Sequence, residues 1–334
     1  MSIGEFALIA GLRDALGQGQ APDGILLGIG DDAAVLDCAG RALVACTDTL
    51  VAGRHFFAEV GPADLAWKAL AANLSDLAAM GALPRWALLN LALPQGLATP
   101  TWLNGFVAGW QELAREWGLA LVGGDTVGTD GLLTVTVTAL GTLEGAAMTR
   151  AGARVGDDIY VTGTLGDAAL ALERAFAARR GEQSEPLAGS AWLEKRRLRP
   201  MPRIAFGQAA QQLGVRCAQD VSDGFLADLG HLLRAGGLGA RIDAQEIPLS
   251  TELAGWVAGD WERLLGTALT GGDDYELILC AAPALGSALM QAAQETRTPL
   301  RRVGEILPAS AGLELFWHGQ QQALPPHQGH VHVL

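Results

Sequence analysis

Residues 61–82 read GPADLAWKALAANLSDLAAMGA. Trp67, Leu70, Leu74 and Leu77 recur at helical spacing, so the stretch predicts a long helix with an apolar face. The segments beside it have another period. ALVACTDTL (42–50) reads as a buried strand running into a polar turn, and RWALLNLALP (85–94) as a second strand. Strand, helix, strand is an α/β signature, and it continues. TWLNGFVAGWQELAREWG (101–118) is a helix, LALVGGDT (119–126) a short strand into a turn, and GLLTVTVTALGTL (131–143) a β-branched strand.

TRAGARVGDD (149–158) is polar and Gly-rich and breaks the pattern. It divides the chain into two expected domains, 1–147 and 148–334. Beyond it, IYVTG, CAQDVSDG and YELILCA contain strands, while GDAALALERAFAARR, MPRIAFGQAAQQLG and FLADLGHLLRAGG are helices. GEFALIAGLRDAL (4–16) predicts an amphipathic N-terminal helix, and RRGEQSEPLAGS (179–190) an exposed loop.

Composition narrows the function. The 334 residues carry 23 basic and 36 acidic side chains, a formal charge of −13. That balance argues against nucleic acid as the partner. No apolar run approaches a membrane span, and the N-terminus carries no export signal. Cys38, Cys46, Cys217 and Cys280 are scattered without a CxxC pair, which suits a reduced, cytoplasmic chain.

The acidic residues are patterned. GIGDDAAVL (28–36) sets Asp31 and Asp32 after two glycines, and Thr47 and Asp48 follow the first strand. Asn73 and Asp76 share a helix face. Asp125 follows Gly123–Gly124; Asp220, Ser222 and Asp223 lie in CAQDVSDG; Asp273 and Asp274 follow Gly271–Gly272. Most sit where a strand is expected to end in a turn, the usual ligand crevice of α/β proteins. Singly, each has an ordinary explanation: an Asp bonding its own turn, a helix cap at Ser222 or Asp223, a solvated Asp76. Together they are carboxylates short of counter-charge, for Lys68 and Lys195 are the only lysines. Such a set calls for a hard cation, Mg²⁺ above all. There is no GxxxxGK[ST] loop and no HRD or DFG set, so any ATP use follows another plan.

GEFALIA, GIGDDAAVL, TDTLVAGRHF, ADLAWKALAANLSDLAAMGA, VGGDT, MTRAGARVGD, YVTGTLGDAA, RPMPRI, VSDGFLADLGHL and GGDDYEL occur in this order. The ordered set resembles the thiamine-monophosphate kinase family, within the aminoimidazole ribonucleotide synthetase superfamily. The resemblance implies a two-domain α/β (α+β) architecture, with an N-terminal sheet-plus-helices domain that pairs in a homodimer and a C-terminal α/β sandwich domain. It implies ATP-dependent phosphorylation of thiamine monophosphate to thiamine diphosphate with several Mg²⁺ ions. By position, Asp32, Thr47, Asp48, Asp76, Asp125, Asp220 and Asp223 match the family's metal ligands. Gly124, Asp125, Arg150 and Ser222 match nucleotide contacts; His55, Asp273 and His330 match substrate contacts. Cys46 stands where relatives often have Ser, and His330 where they often have an aromatic.

The implied acceptor is a phosphate monoester, largely dianionic at neutral pH because its second pKa is about 6. It needs charge neutralisation rather than a general base, so direct in-line transfer is expected and no catalytic residue beyond the metal ligands. An aspartyl-phosphate is the mechanistic rival. Another ATP-using enzyme of the superfamily, or a non-catalytic sensor of nucleotide or thiamine phosphate, are the rival functions. His327, His330 and His332 read as an exposed tail; Trp102, Trp110 and Trp117 as packing; EKRRLRP as a helix end.

Overall fold

The computed structural model describes residues 24–182 and 189–329. The expected N-terminal helix, the tip of the 179–190 loop and His330 lie outside the described residues.

The first half forms a six-stranded sheet: β1 (Ile25–Leu27), β2 (Ala34–Asp37), β3 (Ala42–Val51), β4 (Leu83–Pro94), β5 (Ala120–Thr129) and β6 (Thr134–Leu143), in the order β1-β2-β3-β6-β4-β5. All neighbours are antiparallel except β4 and β5. That parallel pair needs a crossover, which helix α2 (Pro100–Trp117) supplies. Strand β6 shows the expected alternation. Val135, Val137 and Ala139 are fully buried, while Thr134, Thr136 and Thr138 point to the other face. On that open face Thr47 pairs with Thr138 (3.0 Å) and Thr49 with Thr136 (2.8 Å), and Trp86 and Leu88 are exposed.

Helix α1 (Pro62–Ala79) covers the buried face. Pro62 opens it at a position that needs no amide donor, and Asp64 suits its positive end. Fourteen of its 18 residues are buried, the mark of a helix enclosed on all sides.

The second half forms a seven-stranded sheet: β7 (Asp158–Thr162), β8 (Cys217–Asp220), β9 (Leu238–Asp243), β10 (Leu277–Ala281), β11 (Leu300–Pro308), β12 (Leu313–Trp317) and β13 (Gln320–Gln322), in the order β13-β12-β9-β11-β7-β10-β8. Its helices are α3 (Asp167–Arg179), α4 (Ser190–Leu198), α5 (Ile204–Gln212), α6 (Phe225–Gly236), α7 (Thr251–Val257), α8 (Trp261–Leu264) and α9 (Gly286–Glu295). Phe225, Leu226 and Leu229 of α6 enter one core with Ile159, Val161 and Ile278. The sheet's opposite face, through Ala218, Leu277 and Leu279, is continuous with the core around α1.

Helix α1 is thus wedged between the two sheets. Helix α5 packs so closely that a Cβ on Gly207 would stand 2.2 Å from the Ala78 carbonyl oxygen. Trp67 donates its indole N–H to the Pro200 carbonyl (2.7 Å), and Arg199 bridges Asp64 and Glu112. No helix among the described residues is long and apolar enough to cross a membrane.

Two expected turns are not turns. Strand β3 runs through Thr47 and Asp48, and β5 runs through Gly123–Asp125. In each case neighbouring strands supply ladder partners: Thr138 and Val137 for β3, Leu88 to Asn90 for β5. Pairing across the sheet overrides the local turn preference of Gly and Asp.

Candidate functional site

A polar stripe along α1 forms one wall of the site. Lys68, Ala72, Ser75 and Asp76 follow the i, i+4, i+7, i+8 rule, so they line one side over about 12 Å of helix. Two of its polar groups meet acidic residues from elsewhere: Lys68 pairs with Asp273, and Asp76 faces Asp48, Asp220 and Asp32, while the Ser75 hydroxyl lies buried near Asp220 without a hydrogen-bond partner.

The densest part joins three elements. One carboxylate oxygen each from Asp32, Asp76 and Asp220 lie within 4.8 Å of one another. Asp32 comes from the loop before β2, Asp76 from α1, and Asp220 from the end of β8. Asp32 is clamped by Arg150, whose Nε (3.0 Å) and one terminal N–H (2.5 Å) donate to the same oxygen, Oδ1. The other oxygen, Oδ2, is buried with no hydrogen-bond partner. Asp31 accepts the backbone N–H of Arg150 (3.0 Å), tying the loop to the turn 150–152.

Enclosure of so many acids perturbs them. Burial pushes the Asp32 carboxyl up to about 6, with Arg150 opposing and Asp31 adding to the rise. Burial also pushes Asp76 and Asp220 well up. Asp48 is the next cause at Asp76; at Asp220 it is Asp32, with the Ser75 hydroxyl pulling the other way. These mutual effects bring Asp48 into the same electrostatic group. Cys46, on the same strand face, turns its thiol to the Asn73 carbonyl (3.3 Å), and burial beside Asp76 and Asp48 raises its pKa. The Thr47 hydroxyl points to the opposite face, bonded to Thr138 and the Val137 carbonyl, so the side of β3 facing Asp48 receives only its backbone.

The expected caps Ser222 and Asp223 do not cap α6. Asp228, one turn into the helix, accepts the backbone N–H groups of Ser222, Asp223 and Gly224, each at 3.0 Å, and the Gln219 side-chain amide. A buried carboxylate therefore fills the positive end of α6 and fixes the loop that carries Ser222 and Asp223. Asp223, Asp228 and His231 form a second close group.

The GGDDYE segment sends its acids in three directions. Asp273 pairs with Lys68 (2.7 Å). Asp274 accepts the Gly166 N–H (2.8 Å). Glu276 is held by Arg196 (2.9 Å), Arg203 (2.5 Å) and Thr162 (2.7 Å). EKRRLRP is a helix end as expected, but its Arg196 and Arg197 are buried, and Arg196 serves this network. The acids are thus less bare of counter-charge than a count of lysines suggests: Arg150 pairs with Asp32, Lys68 with Asp273, and Arg196 and Arg203 together with Glu276.

Asp125 lies on the exposed edge strand β5, accepting its neighbour Thr126's N–H (2.8 Å), and is outside the tight cluster. Beside it Gly124 has φ +148°, and a Cβ there would lie 1.8 Å from the Leu89 carbonyl oxygen. His55 Nδ1 accepts the Val51 N–H (2.9 Å), so its ring is anchored to its own turn. Sequence reasoning missed Lys68, Ser75, Asp228 and Tyr275. Lys68 had left one signal: a charge among apolar residues on a helix that had to be buried.

The cluster suits a divalent cation. Its donors are hard carboxylate oxygens, and Asp32 Oδ2 is a buried lone-pair site that nothing in the protein satisfies.

The chain as a whole is similar to known proteins. The family described as "AIR synthase related protein, N-terminal domain" matches residues 30–143, and its C-terminal counterpart matches residues 154–314. A thiamine-monophosphate kinase of Escherichia coli is 42% identical over 326 residues, covering 97% of both chains. A crystal structure of thiamine-monophosphate kinase from Stenotrophomonas maltophilia is 41% identical, with TM-score 0.75 over 96% of this chain and 99% of that one. The structure described as "AaThiL complexed with AMPPCP and TMP" aligns with TM-score 0.82 at 28% identity, covering 100% of this chain and 99% of that one. From the two matched domains and the full-length likeness, the chain belongs to the AIR synthase related family and, within it, to the thiamine-monophosphate kinases.

Proposed function

We propose that the chain moves the γ-phosphoryl group of ATP directly onto the phosphate of thiamine monophosphate, with Mg²⁺ held by its aspartates. The observation that carries this reading is the buried Asp32–Asp76–Asp220 cluster with an unpaired Asp32 oxygen beside the Arg150 clamp. Asp32, Asp76 and Asp220 would hold metal, with Asp48 beside them and Asp125, Asp223 and the Thr47 backbone at the margins. When bound, Mg²⁺ supplies charge neutralisation and alignment for two anionic phosphates.

The chain's own groups do the rest. Arg150 stays cationic beside the cluster, because Asp32 and Asp31 outweigh the cost of its burial, and so offers fixed positive charge to a nucleotide phosphate. Gly124 and the Ser222 hydroxyl border the nucleotide; His55 and Asp273 border the thiamine phosphate. The acceptor arrives ionised, so no side chain needs to take a proton, and no acyl-phosphate on Asp is formed. Residues 1–147 contribute the Asp32, Asp48 and Asp76 side, and residues 148–334 contribute Arg150, Asp220 and Asp273. The open face of the first sheet, with Trp86 and Leu88 exposed, is the surface through which two copies pair as a homodimer.

The test is turnover. Purified protein with ATP, Mg²⁺ and thiamine monophosphate should form thiamine diphosphate, read as its thiochrome. Chelator or free thiamine in place of the monophosphate should give none. Absence of product from folded protein that binds ATP would refute the reading.

A further inference from the structure

Lys68 has no place in the set of groups that border metal, nucleotide or substrate, yet it is among the most constrained charges in the chain. It sits on α1, 4% exposed, with its ammonium 2.7 Å from Asp273 Oδ2. A buried lysine is costly unless it is paired, and the fold could have placed an apolar residue there. Its partner is held from the other side as well: the Tyr275 hydroxyl donates to Asp273 Oδ1 (3.2 Å). The backbone is fixed too. Asp273 donates its N–H to the Ser222 carbonyl, and Tyr275 donates to the Val221 carbonyl, both at 2.8 Å. Asp273 and Tyr275 nevertheless adopt left-handed φ values of +69° and +53°. Strain of this kind in non-glycine residues persists where surrounding contacts over-determine the geometry, and it gathers at functional positions.

We infer that Lys68 is a positioning residue for thiamine monophosphate: it reaches across from α1 to orient Asp273 and to cancel its charge where the substrate's phosphate must approach. This rests on the proposed kinase reaction and on Asp273 bordering the substrate. The chemistry is direct. Asp273 keeps a third of its side chain exposed, close enough to Asp48 and Asp220 for all three to act on Tyr275. With Lys68 present, the Lys68–Asp273 pair is neutral, and Asp273 can accept a hydrogen bond or orient a neighbour. With Lys68 removed, a bare carboxylate repels a phosphate dianion. The nucleotide, bordered by Arg150 and Ser222, does not depend on this pair.

The experiment is steady-state kinetics of full-length Lys68→Met, Lys68→Arg, Asp273→Asn and the double variant, with both substrates varied. Lys68→Met should raise KM for thiamine monophosphate about tenfold or more, the usual effect of losing a charged hydrogen bond. KM for ATP and kcat should stay within about threefold. Lys68→Arg should restore most of the substrate affinity. In the Asp273→Asn background, where no charge needs cancelling, Lys68→Met should add little. A uniform structural defect would move both KM values and kcat together and would overturn the inference. So would an unchanged thiamine monophosphate KM in Lys68→Met, or strictly additive effects in the double variant. If Lys68→Met does not fold, Asp273→Asn and Lys68→Arg decide: the inference requires Asp273→Asn to shift the thiamine monophosphate KM and Lys68→Arg to keep it near that of the unmodified protein, with the KM for ATP unchanged in both. No turnover by the unmodified protein overturns the kinase reading itself; turnover with an indifferent Lys68 overturns only this inference.

Discussion

Replacing Asp76 by Asn should make the metal-free protein more stable and the enzyme inactive. The oxygens of Asp32, Asp76 and Asp220 lie within 4.8 Å of one another. At an effective dielectric of about 20, two unit charges at that separation repel by about 3.5 kcal/mol. Protonation caps the penalty: neutralising a carboxyl of ordinary pKa 3.8 at neutral pH costs about 4 kcal/mol, at about 1.36 kcal/mol per unit. The relief at Asp76 comes first from no longer burying a charge and then from the repulsion of Asp48 and Asp220, Asp32 being already offset by Arg150. Asn keeps the size of the side chain and removes the charge. The expected gain in chelator near pH 8 is about 2–4 kcal/mol, or about 3–6 °C in melting temperature for a chain of this size.

Two controls fix the sign. Acids with raised pKa values bind more protons folded than unfolded, so the wild type loses stability as pH rises through those values. The gap between variant and wild type should therefore shrink as pH falls through about 6, where Asp32 itself takes up a proton. Mg²⁺ at about a hundred times its dissociation constant should raise the wild type by about 2.7 kcal/mol and the variant by much less. Calorimetry or dye-monitored melting in chelator and in Mg²⁺ reads all three. A variant that melts below wild type in chelator near pH 8, or equal Mg²⁺ shifts in both, would refute the reasoning.

Gly124→Ala should lower the melting temperature by several degrees and abolish turnover, because its Cβ would enter the β4 backbone at Leu89; unchanged melting would contradict the geometry. Asp228→Ala should cost about 2–4 kcal/mol by orphaning the N–H groups of Ser222, Asp223 and Gly224, and calorimetry should also show weaker ATP binding. Burial raises the Glu276 carboxyl, but Arg203 and Arg196 outweigh it and hold it below 4.5. Its contribution is therefore full above that pH and lost as pH falls through the depressed value, so Glu276→Gln should be destabilised by about 3 kcal/mol near neutrality and converge with wild type in acid melts. Acid-quenched reactions with γ-labelled ATP should leave no label on the protein; retained label would favour a phosphoenzyme.

The elements of the fold were legible where one period dominates. Helix α1 and strand β6 announce themselves by apolar spacing, and both lie where that spacing puts them. Thr47–Asp48 and Gly123–Asp125 looked like turns because turn residues are local signals, whereas strand continuation is decided by partners far along the chain. The acidic residues were visible as a set, and three of them converge within one cluster. Their cations were not, because Arg150 and Lys68 reach them across 118 and 205 positions of sequence. Asp228 was hidden for a subtler reason: a capping carboxylate is sought before a helix, and this one acts backward from within it.

That inward cap has a consequence for nucleotide affinity. A helix N-terminus ordinarily offers an anion a ready seat of amide groups. In α6 the seat is taken by the protein's own carboxylate, permanently tethered and at high effective concentration. On the proposed reading, a phosphate reaching this end of the molecule would meet Arg150 and mobile cations rather than a free helix dipole, so its binding would follow the ionic content of the solution.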